Sequence, residues 1–441
     1  MLRAGHIVIV SALALLVLGV VMVNSAGMEI GKAAITLEGV LLSKSTIYMA
    51  VALLTMGVVA WLTPVRLIAS PPALLTPNLP PAAKSAAPFW QFKLWLQSWQ
   101  WGGWKLSAMW LMVVAVIALL ATVYLPGIGD ARKGSHRWVQ LPIRDLTLQP
   151  SEFAKWFLVA LVAWYSVVMG ARIRSLFTGL LPILVAVSMV AAFVAIEDLG
   201  TAVLLMCVAV VTILAAGARP WHFLLPMPFV AAAGYLMVKL APYRMARITA
   251  FMDPYADSRG TGFHMIQSQV AISSGEMWGR GLGNGLQKFG YLPEDTTDFI
   301  FAIICEELGL MGAVVVVVLF CTLVLAGLAI VLKQRTLQAK ILALGITATV
   351  GIQAVINLFV VVGWGPTKGI ALPLLSSGGT GWILTAGALG VLVALDRHAS
   401  KEAVAAAPLE QPANAHPARP PDQLIAPLAS KVMPPMPAAA N

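Results

Sequence analysis

The chain has 441 residues, 59% of them hydrophobic and only 11% charged, with a mean hydropathy of +0.85. A soluble domain is nearer half apolar and a quarter charged, so a water-soluble fold is excluded and a polytopic membrane protein is expected. The net charge of +10 does not point to nucleic acid, because the charges are distributed as membrane topology requires.

A membrane helix needs about 20 apolar residues. In chain order, charge-poor runs of that kind fall at Ile7–Val23, Thr46–Leu62, Leu106–Leu125, Trp156–Gly170, Leu176–Ile196, Leu199–Gly217, Trp221–Val238, Phe299–Leu332, Ile341–Gly363 and Gly378–Leu395. The expected fold class is therefore an all-α polytopic membrane protein with about ten transmembrane helices. Trp156–Gly170 is short and should extend back through Lys155 to Pro150. Phe299–Leu332 is long, and is expected to be tilted or broken.

With the N-terminus inside, the inner loops hold Arg3, then Arg66, Lys84, Lys93 and Lys105, then Arg172 and Arg174, then Arg219, then Lys333, Arg335 and Lys340, and no acid. The outer loops hold nearly all the Asp and Glu, so both termini are expected in the cytoplasm. The first run also resembles a signal peptide, with Arg3 before it and Ser25-Ala26-Gly27 after it. Cleavage would break the charge pattern, which favours an uncleaved anchor. Cys207, Cys305 and Cys321 all lie in apolar runs and read as small packing residues.

The expected organisation is a membrane domain over 1–397 and an Ala/Pro-rich tail over 398–441, disordered by composition. Residues 63–104 form a cytoplasmic insert between spans two and three, Pro- and Ala-rich and ending in an aromatic stretch from Phe89 to Trp104. Trp with Lys there suits an interfacial segment. Residues 126–149 and 241–298 are the long outer regions, and the second, just before span eight, should fold as an ordered cap. The sequence carries no internal repeat, phosphate-cradling loop or dinucleotide motif.

The polar residues that could carry chemistry gather in the outer regions. In Gln149-Pro-Ser-Glu-Phe-Ala-Lys155, Pro150 suits the first turn of a helix. Glu152 and Lys155 share a face, as an ion pair or, with Arg137, as a phosphate site. Asp198, in the turn between spans five and six, reads first as a helix cap. Arg244 and Arg247 also share a helical face. Glu306 and Glu307 lie inside span eight, either functional or paired to a neighbour's basic group. Around Gly365-Pro-Thr-Lys368-Gly369, Pro and Gly break the chain into a re-entrant or tightly turned segment. The densest run is Tyr291-Leu-Pro-Glu-Asp-Thr-Thr-Asp298-Phe-Ile-Phe301, with Glu294, Asp295 and Asp298 within five positions. Asp298 stands where the apolar segment begins, and an acid at that boundary is a candidate for chemistry.

Together and in this order, several stretches resemble the SEDS family, the RodA/FtsW glycosyltransferases. They are Arg137-Trp138, Gln149-Pro-Ser-Glu152 with Lys155, Asp198-Leu-Gly-Thr201, Tyr243-Arg244, Gln287-Lys288, Tyr291-Leu-Pro-Glu294, Thr297-Asp-Phe-Ile-Phe-Ala302, Glu306-Glu-Leu-Gly309 and Pro366-Thr-Lys-Gly369. Gln287-Lys288 and Pro366-Thr-Lys-Gly369 look closer to FtsW than to RodA.

The resemblance implies a peptidoglycan glycosyltransferase of the cytoplasmic (inner) membrane, working on its outer face in cell division. It would polymerise lipid II into glycan strands with release of polyprenyl diphosphate. It implies Asp298 as general base, with Arg137, Lys155, Arg244 and Lys368 as diphosphate contacts and Glu152, Glu294, Glu306 and Glu307 in support. No cofactor is certain. A divalent cation, Mg or Mn, would suit the diphosphate, but the sequence shows no complete ligand set. The implied partners are lipid II and the nascent strand, a class B penicillin-binding protein for crosslinking, and other divisome or elongasome membrane proteins. A RodA-type elongation polymerase, a lipid II flippase and a non-catalytic scaffold are the alternative readings.

Overall fold

The computed structural model describes residues 3–28, 36–65, 103–126, 129–132, 135–140, 147–367, 369–377 and 379–406. Most of the 63–104 insert and of the 398–441 tail lies outside the described residues.

The architecture is helical. In chain order it runs α1 (Ala4–Ala26), α2 (Leu37–Leu41), α3 (Lys44–Leu62) and α4 (Gly103–Ala121), then strands β1 (Gly129–Arg132), β2 (Ser135–Gln140) and β3 (Thr147–Leu148). Helices α5 (Pro150–Met169), α6 (Leu181–Glu197), α7 (Leu199–Ala215), α8 (Trp221–Leu224), α9 (Met227–Lys239), α10 (Pro242–Met252) and α11 (Phe263–Ser274) follow. The chain closes with α12 (Ile300–Lys333), α13 (Leu337–Val362) and α14 (Thr380–Ala406).

Among the described residues, eight helical stretches are long and apolar enough to cross a membrane, and Ala108–Tyr124 and Leu199–Ala215 are shorter apolar helices. These fall on the ten apolar runs of the sequence. Pro150 opens α5, as its missing N–H allows. The sheet is an addition to the expected all-helical fold. It is antiparallel, in the order β1-β2-β3, and occupies the first outer region. Cys305 is buried, whereas Cys207 and Cys321 are exposed on the bundle surface rather than packed inside it.

Two apolar cores make up the bundle. One joins α1, α12, α13 and α14, and the other joins α4, α5, α6 and α7. Helix α13 packs on both α5 and α7 and links the two. Small residues set the closest approaches, as expected where apolar lipid gives no drive to bury helix faces. A Cβ on Gly345 would lie 2.5 Å from Val159, and one on Gly19 would lie 2.9 Å from the Leu375 carbonyl. At the opposite end from the large loop, the buried Asp396 carboxylate accepts from the Gly5 amide at 3.0 Å and pairs with Lys333 at 3.0 Å. An acid at the first turn of α1 also complements the helix dipole.

Helix α12 is broken, and the break organises the large loop. Gly309 has φ 67 and ψ −164, so the helix cannot continue through it. The backbone groups released there are satisfied by the loop. Arg280 N donates to Glu306 O at 2.9 Å and Gly281 N to Glu307 O at 3.0 Å, while Leu310 N donates to Glu276 O at 2.9 Å. Irregular backbone at such a place is stable only when protein supplies these partners.

Gly309→Ala should lower the unfolding temperature of the purified protein sharply. Its Cβ would sit 2.3 Å from Gly279 N, at a positive φ. Gly57→Ala is the control, since nothing lies within 4 Å of its Cβ and Ala is the better helix former. Equal melting temperatures for the two variants would refute this account of the break.

Candidate active site

The polar run at 291–298 folds as a turn that delivers Asp298 to the start of α12. Glu294 adopts φ 59, and its carbonyl accepts from Thr297 N at 3.2 Å and Phe299 N at 3.1 Å. Asn357, buried in α13, then fixes the backbone. Its Nδ2 donates to Asp298 O at 2.9 Å and to Ile370 O at 2.7 Å. One amide thereby ties the loop end of α12 to the non-helical segment 369–377.

Gly369 marks where the charged groups converge. A Cβ built on it would lie 3.2 Å from Asp298 Oδ2 and 3.3 Å from an Arg137 guanidinium nitrogen. Arg137 comes from β2, and the local ladder explains its aim. Asp130 pairs with Trp138 while Ala131 pairs with His136, so Arg137 is the extra residue of a β-bulge. A bulge redirects the side chain it carries. The Arg137 guanidinium donates twice to Glu197 O, at 3.1 and 2.7 Å, and lies 3.7 Å from Asp198 Oδ2. Asp198 caps α7 as expected, accepting from Thr201 N at 3.0 Å.

Burial pushes the Asp298 carboxyl up to about 7, with Glu294 and Asp198 adding to the rise and Arg137 and Arg247 opposing it. Burial also pushes Asp295 up to about 6. An acid near 7 is suited to exchange a proton at neutral pH.

The other sequence candidates fall in different places. Lys155 is buried at 2% exposure and fully engaged, 2.8 Å from Glu152 Oε1 and 2.9 Å from Gln353 Oε1. Gln353 in turn donates to Ala371 O at 2.8 Å. The pair with Glu152 is the expected one, but Lys155 braces the floor of the site rather than standing open to a phosphate. Arg244 is engaged at the end of α6. It donates to Ala195 O and Ile196 O at 2.8 Å each, at the C-terminal end of α6. Its neighbour Arg247 faces the site instead, donating to Thr367 O at 3.4 Å. Lys368 lies outside the described residues.

Glu306 and Glu307 take the structural role. Glu306 Oε1 accepts from Leu286 N at 2.8 Å. Glu307 accepts from Gly283 N at 3.0 Å and from Ser25 Oγ at 2.7 Å, and pairs with Lys288 at 2.7 Å, with both of those side chains fully buried. Both glutamates hold the large loop onto α12. Among the described residues, no group of three or more His, Cys, Asp or Glu side chains gathers to hold a metal ion.

Sequence reasoning missed Asn357, Gln353 and the partnership of Arg247 with Asp298. The signal for the first two was present. Two amides four residues apart within one apolar run share a helix face, and polar groups there need partners.

The fold and site define a polytopic helical membrane protein with a half-buried acid, titrating near neutrality, beside an arginine at one end of the bundle. Residues 90–401 match the FtsW/RodA/SpoVE family, described as cell cycle protein. The chain belongs to this family. It is 39% identical over 287 residues to the probable peptidoglycan glycosyltransferase FtsW of Geobacter metallireducens, covering 64% of this chain and 75% of that protein. It is 39% identical over 304 residues to the stage V sporulation protein E of Bacillus subtilis, covering 68% and 81%. Among solved structures, a chain from a peptidoglycan synthase complex superposes with a TM-score of 0.63 at 23% identity, covering 89% of this chain and 97% of that one. The Thermus thermophilus rod shape determining protein RodA superposes with a TM-score of 0.54 at 21% identity, covering 88% and 95%. Those two likenesses establish the fold.

Asn357→Leu keeps the bulk of the side chain and deletes both donations, leaving two carbonyls without a partner at about 1–3 kcal/mol each. Amide hydrogen exchange should quicken in the peptides covering 294–302 and 369–376. Unchanged protection in both would show that the amide does not hold these segments together.

Proposed function

We propose that the protein is a peptidoglycan glycosyltransferase that polymerises lipid II on the outer face of the cytoplasmic membrane and serves cell division. The observation that carries this reading is the convergence of Asp298 and Arg137 on Gly369. The acceptor's 4-hydroxyl attacks the anomeric carbon of the lipid-linked strand. The Asp298 carboxylate takes the hydroxyl proton as the new C–O bond forms. The bond to the diphosphate breaks, its electron pair leaves with the polyprenyl diphosphate, and Arg137 and Arg247 face the charge that develops. Lys368 joins them in this reading. No step is routed through a metal ion.

The relatives named FtsW support the glycosyltransferase activity and favour division over elongation. The eight long and two shorter apolar helices, with basic residues on one side, support ten crossings with both termini in the cytoplasm. The membrane domain then spans 1–397, with the 63–104 insert and the 398–441 tail inside the cell. The likeness to a chain of a peptidoglycan synthase complex supports a class B penicillin-binding protein as the crosslinking partner. A flippase reading loses the intramembrane acids that suggested it, because Glu306 and Glu307 anchor the loop.

Purified protein, the partner and labelled lipid II in detergent test the reading without a bilayer, so transport cannot account for chain growth. Asp298→Asn should abolish polymer formation while leaving the melting temperature intact, and polymer from that variant would sink the assignment. The base must be ionised, so the rate should fall as pH drops through about 7, well above the ordinary aspartate value of about 4. Arg137→Ala removes a cation that favours the carboxylate, so the falling limb should move to higher pH.

A further inference from the structure

The bulge that aims Arg137 leaves its neighbouring amide to be satisfied outside the ladder. His136 N donates to Glu197 Oε2 at 2.9 Å. The other carboxylate oxygen of Glu197 accepts from Tyr124 OH at 2.9 Å, and the Tyr124 and His136 rings lie 5.8 Å apart. The Glu197 backbone carbonyl is the acceptor for both Arg137 donations. One residue thus holds the bulge through its side chain and the guanidinium through its main chain. A small cavity lined by Tyr124, His136, Arg137, Phe193, Glu197 and Asp198 opens alongside.

We propose that Glu197 is a positioning residue: its carboxylate clamps the bulge at His136 so that Arg137 is held beside Asp298. This rests on the reading of Asp298 and Arg137 as reacting groups. The carboxylate of Glu197 bonds to Tyr124 and His136, and it acts on Asp298 through Arg137. The physical logic is that a two-point clamp fixes the strand against the C-terminal end of α6. Without it the bulge amide must find water, and the strand is free to straighten and carry Arg137 away.

The groups facing Asp298 are Glu294 from its own turn, Asp198 from the start of α7, Arg137 from β2 and Arg247 from α10. Those facing Glu197 are Tyr124, His136 and Arg137, with Arg244 on the two carbonyls before it. This arrangement makes the sign of the effect diagnostic. Loss of one negative charge near the site would lower the Asp298 midpoint. Loss of the clamp, and with it the nearby guanidinium, would raise it. A rise of one unit cuts the ionised fraction about ten-fold on the acidic side.

The experiment uses the full chain in detergent, with Glu197→Ala, Glu197→Gln, Arg137→Ala and the Glu197→Ala/Arg137→Ala double variant. Infrared titration follows the Asp298 carboxyl, assigned by the band lost in Asp298→Asn, and the polymerisation rate is measured over the same pH range. Glu197→Ala and Arg137→Ala should each raise the midpoint by a similar amount, and the double variant should raise it no further. Glu197→Gln should stay at or slightly below the wild-type midpoint, because its amide can accept from His136 N–H and donate to the Tyr124 oxygen while its charge is lost. An unmoved or lowered midpoint in Glu197→Ala, an additive double variant, or a Gln variant that behaves like Ala would each overturn the proposal. Should Glu197→Ala fail to fold, Glu197→Asp, too short to reach both donors, should give a smaller upward shift, and no shift would equally overturn it. If the wild-type protein makes no polymer, the glycosyltransferase reading falls, while the infrared titration still judges the clamp.

Discussion

Asn357 donates from one buried amide to the carbonyls of Asp298 and Ile370, and it does so inside an apolar helix. In such surroundings a carbonyl without a partner is costly, so the two segments are held where Asn357 can reach both. Gln353, one turn earlier on the same helix, repeats the device by joining Ala371 O to Lys155. The polar edge of α13 is therefore the floor on which the site rests. Gly369 can approach the carboxylate and the guanidinium only because Ile370 and Ala371 are pinned below it. Its lack of a side chain leaves that space open.

The groups above this floor come from elements distant in sequence, and each arrives by a local device. A bulge turns Arg137 inward, a helix cap fixes Asp198, and α10 presents Arg247. Their charges oppose one another at Asp298. Two acids and burial favour the protonated form, and two arginines favour the carboxylate. The outcome near neutrality reflects that opposition. A deeply buried acid without cations would stay protonated at neutral pH, and an acid beside arginines in open water would be too weak a base.

The spans were legible because about 20 apolar residues in a row admit few other structures. Asp298 was legible because an acid at the edge of such a run has few inexpensive places to go. The pair of Glu152 and Lys155 followed from helical spacing. The rest depended on contacts that no local pattern encodes. Arg244 and Arg247 lie on one helical face, and only packing against α6 decides that the first caps its carbonyls while the second reaches Thr367. The short strands of the first outer region carry too few residues to show a period. Asn357 and Gln353 were passed over because a search for apolar runs treats a polar residue within one as tolerated, when the need for a partner makes it informative.

The break at Gly309 explains why an unusually long apolar run was needed and what the two glutamates contribute. It separates a short helix, residues 300–308, from the stretch that continues through the bundle. That short helix is buried along 300–307, carries Asp298 just before its first turn, and is gripped at its other end by the 276–281 backbone. Glu306 and Glu307 extend the grip to 283–288 and, through Ser25, to α1. Its N-terminal end also favours a carboxylate. With Asn357 at one end and the loop at the other, the acid sits on a mount fixed at both ends. A continuous helix through Gly309 would offer no backbone donors or acceptors to the loop. Glu306 would then lose its backbone donors and Glu307 would keep only Ser25, without the Lys288 charge that balances it, which makes the break a condition for placing acids at that depth.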